Sequence, residues 1–108
     1  MKNNRYKIKW HVRQYVKSEL MDFKQNKAML ANDKKAHTRD LILVSKRLAQ
    51  IEAVLQSLNQ EDREAAEIIF FDKYTQAGAE IAKGLSKAAY YNVMNKVIYL
   101  VAREMDLV

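Results

Sequence analysis

Proline is absent from this 108-residue chain and glycine occurs only twice, at Gly78 and Gly84. Without them the backbone has few places to make hairpin turns, while Ala, Leu, Lys, Glu and Gln, all good helix formers, are plentiful. No run alternates apolar and polar residues as a half-buried strand would. An all-α protein is therefore expected, with an N-terminal helical hairpin or arm and a C-terminal helix-turn-helix. The length suits one core or one small domain with an arm.

The chain has 19 Lys/Arg against 13 Asp/Glu, a formal net charge of +6. Residues 1–58 carry thirteen basic and five acidic side chains, net +8, and residues 59–108 carry six and eight, net −2. A basic half suits a polyanion such as double-stranded DNA, because covering phosphates releases counterions. The chain divides on this basis into basic N-terminal helices, 1–58, for packing or oligomerisation, and a DNA-binding region, 59–108. No apolar run approaches the roughly 20 residues of a membrane span, and no apolar signal-peptide core follows the basic start. A cytoplasmic protein without a membrane role is expected.

Enzymatic chemistry finds little support. There is no cysteine, and the two histidines, His11 and His37, are far apart. That leaves no thiol nucleophile, no Cys-based zinc site and no expected metal or other cofactor. No carboxylate stands at a spacing from His or Ser that suggests acid–base or nucleophilic work, and no glycine loop cradles phosphate.

Residues 6 to about 23 place Ile8, Val12, Tyr15, Val16, Leu20 and Phe23 at helical spacing, with Lys7, Arg13 and Lys17 opposite. Trp10 is expected to pack in the core. The polar Lys24, Gln25 and Asn26 should interrupt or bend this helix. A second helix then spans residues 27 to 58, where Leu41, Val44, Leu48, Ile51, Leu55 and Leu58 recur at alternating spacings of three and four. This stripe serves either an antiparallel hairpin or a homodimer seam.

Asn59 is a helix cap, and Glu61, Asp62 and Glu64 favour the positive end of the following helix, which reaches about Tyr74. A break over residues 75–78 precedes a short helix, residues 79–83. Gly84 fits a left-handed C-terminal position, Leu85 can fold back onto the core, and Ser86 can cap the last helix, residues 87 to about 103. Tyr90, Val93, Val97, Ile98 and Val101 bury one side, joined by Ile81, Ala82 and Leu85. Lys87, Ala88, Ala89, Tyr91, Asn92, Asn95 and Lys96 form the other.

That second side has the chemistry of a groove reader. Asn can hydrogen-bond adenine bidentately, Lys can reach guanine or phosphate, and Ala can meet a thymine methyl. Ser86 and Lys87, at the helix start, suit backbone phosphates. Residues 87–103 contain no acid, whereas an ordinary solvated surface mixes signs. The candidate DNA-binding residues are Ser86, Lys87, Ala88, Tyr91, Asn92, Asn95 and Lys96.

Residues 59–108 resemble region 4 of bacterial sigma factors and, more closely, the C-terminal part of ArpU/RinA-like phage transcriptional regulators. The likeness rests on the acidic helix ending in Tyr74, then Glu80-Ile81-Ala82, Gly84-Leu85-Ser86, Tyr90-Tyr91 and the apolar repeat through Val101. The segment with Glu19-Leu20, Phe23 and Asn26-Lys27 is similar, less specifically, to that family's leading helices. The resemblance implies a small phage or prophage protein that activates late genes by binding promoter DNA. It assigns Ser86, Lys87, Ala88, Tyr91, Asn92 and Lys96 to the DNA face and Tyr90, Val93 and Ile98 to the core. One departure is Ala77, where sigma-like domains often carry a capping Ser or Thr; Thr75 or Gln76 stands nearest to replace it. The alternatives to a DNA-binding regulator are a DNA-recognition subunit of a phage packaging machine and a protein that binds RNA polymerase.

Overall fold

The computed structural model describes residues 6–32 and 39–108, and every regular element among them is helical. The elements are α1 (Trp10–Met21), α2 (Phe23–Asn32), α3 (Arg39–Ser57), α4 (Gln60–Ala66) running into a π-helical turn (Glu67–Phe71), α5 (Gln76–Lys83) and α6 (Lys87–Glu104). The all-α expectation is met. The single helix expected over residues 27–58 is two helices, α2 and α3, packed on each other; residues 1–5 and 33–38, His37 included, lie outside the described residues.

The first bend falls at Asp22, two residues before the polar patch expected to cause it, and Lys24, Gln25 and Asn26 sit inside α2. Phe23 is buried, and its ring stacks on Phe71 at 5.1 Å between centroids. The residue that follows the break thus enters the core, while the polar residues after it continue α2.

Helix α6 is the centre of the fold. Its buried side, Tyr90, Val93, Met94, Val97, Ile98, Val101 and Ala102, joins Val16 and Leu20 of α1, Leu48 and Ile51 of α3, and Ile69 and Phe70 of the π turn in one core. Residues from both sides of position 59 contribute to it. Leu48, Ile51 and Leu58 of the apolar stripe are buried within the chain, with Val44 and Leu55 partly so. The hairpin differs from the one expected: it is α3 that folds back on α2, within the segment read as one second helix, and α3 lies also against α6. Lys27 of α2 meets Glu52 of α3 at 3.6 Å, where a continuous helix would hold them ~37 Å apart.

Local capping sets the helix ends. The Asn59 side chain accepts from the Asp62 N–H at 2.8 Å, as its residue type implies. The Arg63 guanidinium reaches back to the carbonyls of Leu55 and Leu58 at 3.0 and 3.1 Å, satisfying acceptors that the end of α3 leaves open. The third helix stops at Phe71 rather than near Tyr74, because its last turn is π-helical: Asp72 N–H donates to the Glu67 carbonyl, five residues back. A wider turn rotates less per residue, so the consecutive Ile69 and Phe70 both stay on the core side. Lys73, at φ 58°, then ends it in the left-handed region.

Trp10 does not enter the core; 74% of its surface is exposed. It precedes Val16 by six positions, which at ~100° per residue places it about 120° from the buried stripe. Tyr15, also expected on the apolar side, stands at the edge, where its hydroxyl accepts from Arg47 Nε at 3.2 Å.

Burial pushes the Glu19 carboxyl above the usual range, Arg47 pulls part of that back, and Asp22 adds to the rise. An acid raised in the folded state makes its charged form unfavourable, so stability is lost as pH rises through that raised value. Glu19→Gln is therefore expected to raise the melting temperature at about pH 7 and to leave it near wild type at about pH 3.5. An equal gain at both pH values would contradict this.

Candidate nucleic-acid interface

Helix α5 starts earlier than its sequence pattern suggests. Thr75 Oγ1 accepts from the Gly78 N–H at 3.1 Å, so the helix runs from Gln76, and Gly78 lies within it. The departure at Ala77 thus leaves no missing cap. At the other end Gly84 adopts φ 69°, its N–H donates to the Glu80 carbonyl, and the Leu85 N–H donates to the Ala79 carbonyl. A side chain at Gly84 would be strained in this left-handed turn. Ser86 Oγ then accepts from the Ala89 N–H at 3.2 Å and opens α6.

The same register corrects the expected burial of α5. Ala79 faces the core with no exposed surface, so Ile81, ~200° further round, points outward and is 87% exposed. Ala82 is exposed too, and Leu85 is half-buried. Tyr90 holds α6 to the preceding element: its hydroxyl donates to the Tyr74 carbonyl at 2.8 Å. Burial, and to a lesser degree Tyr91, pushes the Tyr90 hydroxyl above its ordinary range, so it stays protonated as a donor.

The seven candidate residues do not share one environment. Ser86, Lys87, Ala88 and Asn92 are exposed, and Tyr91 is 43% exposed, its ring edge-on to Tyr90 at 5.2 Å. These five belong to the first half of α6. Asn95 and Lys96 are half-buried, and Lys96 Nζ is ion-paired with Asp62 at 2.8 Å. Lys96 is therefore not the unpaired surface cation that its helix position suggests.

Asn95 and Lys96, with the exposed Asn92 beside them, form one wall of an open cleft of about 660 Å³. The other walls are Asp62 of α4 and the N-terminal residues Tyr6, Lys7, Ile8 and Arg13. Tyr6 packs on Tyr99 of α6 with centroids 5.5 Å apart, and Arg13 Nη2 approaches Met94 Sδ at 3.8 Å. These neighbours of α6 are invisible to local sequence reading, since Arg13 and Met94 stand 81 positions apart. Nothing in their spacing could have found them.

Among the described residues no cluster of three His, Cys, Asp or Glu side chains could hold a metal ion, and no helix is long and apolar enough to cross a membrane. No family model, curated protein or solved structure matches the chain.

Proposed function

We propose that this chain is a sequence-specific DNA-binding transcriptional regulator that docks the first half of α6 in the major groove. The observation that carries the reading is the exposed, acid-free side formed by Ser86, Lys87, Ala88, Tyr91 and Asn92 on a helix whose opposite side is core. A helix anchored on one side and bearing short, amide and cationic side chains on the other meets the needs of base-edge contact. The likeness of residues 59–108 to sigma region 4 and to ArpU/RinA-like regulators extends the proposal to promoters of phage or prophage late genes.

A mobility-shift titration on upstream DNA over a series of salt concentrations tests it. Affinity is expected to fall linearly with log salt, and Lys87→Ala to weaken specific and random DNA alike while lowering the slope by about 0.9, one phosphate contact. Absence of salt-dependent binding would overturn the reading. A second reading, binding to RNA polymerase, draws on the outward Ile81, an apolar side chain suited to a protein partner. Retention on polymerase by protein that does not shift DNA would carry that reading instead.

A further inference from the structure

We infer that the cleft between the N-terminal segment and α6 holds a phosphate of the DNA backbone beside the base pairs that α6 reads, with Lys7 and Arg13 as its cationic ligands. This rests on the DNA-binding reading above. Lys7, Arg13 and Lys96 bring three cations to the cleft and Asp62 brings one carboxylate. The carboxylate is engaged by Lys96. Among the described residues Lys7 and Arg13 take part in no ion pair, and the Met94 sulfur that Arg13 approaches is a weak acceptor. Two cations are left with their charge available to an anion.

Asn92 and Asn95 line the same cleft, so its donors include side-chain amides as well as cations. Asn92 also identifies the source of the phosphate. It is exposed on the reading side of α6 and is at once a wall of the cleft, so a strand whose base meets Asn92 runs its backbone toward Arg13. Arginine suits this position, since its planar fork matches phosphate oxygens. Asp62 opposes the anion in two ways, by like charge and by occupying Lys96.

The test compares wild type with Lys7→Ala, Arg13→Ala, their double variant and Asp62→Asn, all of the full chain, on the preferred site and on random duplex at several salt concentrations. The double variant is expected to weaken both duplexes by the same factor and to lower the salt slope by about 1.8, two contacts at about 0.9 each. Asp62→Asn frees Lys96 and removes the opposing charge. It is expected to tighten DNA binding several-fold and steepen the slope by about 0.9, a gain that a folding defect cannot mimic. A double variant with the wild-type slope on DNA that wild type binds would overturn the phosphate assignment and leave the α6 reading standing. So would an Asp62→Asn protein that binds no tighter. Inorganic phosphate titrated into the protein serves as the free-anion arm: saturation at micromolar concentration, unaffected by duplex DNA, would make the cleft a small-anion site and overturn the backbone assignment. Wild type without salt-dependent binding would overturn the DNA reading, and this inference with it.

Discussion

Phe70→Ala is expected to destabilise the fold by about 3–5 kcal/mol, the usual cost of emptying a fully buried phenylalanine site. Phe70 has no exposed surface and is the largest of the fully buried side chains. It stands on the π turn beside Ile69, and the packed helices leave little slack to collapse into the void. Against a total stability of about 5–15 kcal/mol for a natural domain, the loss is a large fraction. In a chain of this size it corresponds to a fall in melting temperature of roughly 15–25 °C. Circular dichroism melts at neutral pH would measure it. A variant that melts within a few degrees of wild type would mean that the π turn does not direct Phe70 into the core.

The second large effect is on recognition. Asn92→Ala is expected to cost about 1–3 kcal/mol on the preferred DNA site, the value of one good bidentate base contact, which is about 5- to 150-fold in affinity. Random duplex should be bound almost as before, because a base-edge contact carries little of non-specific binding. Asn92 is exposed, so stability should change by less than about 0.5 kcal/mol and the comparison stays clean. Equal losses on both duplexes, or no loss on either, would remove Asn92 from base readout. Lys96→Ala is a less informative companion, since it also breaks the ion pair with Asp62. Removing residues 1–24 to probe the basic N-terminal part is less informative still. It would take Val16, Leu20 and Phe23 out of the core and so test folding before affinity.

Much of the architecture is legible in short stretches of the chain. The caps at Asn59 and Ser86 and the left-handed Gly84 follow from interactions spanning three or four residues, so local chemistry determines them. The two-sided character of α6 follows equally from helical periodicity, which put Lys87, Ala88, Tyr91 and Asn92 on the exposed side but placed Ala89, Asn95 and Lys96 there too, although these are half-buried. Local reading failed in more than one way, at a long-range contact in one place and at a local cap in another. The break falls at Asp22 rather than in the polar patch, with Phe23 after it stacked on Phe71, 48 positions away. The start of α5 at Gln76 pointed Ile81 outward, although Ile81 reads as a core residue from its type alone.

By itself, then, the sequence determined that this protein is helical, where several of its helices are capped, and which side of the last helix is polar. Those properties depend on backbone hydrogen bonds and side chains a turn apart. Only the tertiary structure decided which polar residues of α6 remain open to a partner. Asp62 meets Lys96 across 34 positions and the N-terminal segment lies along the second half of α6, because burying the apolar side of that helix draws distant segments together.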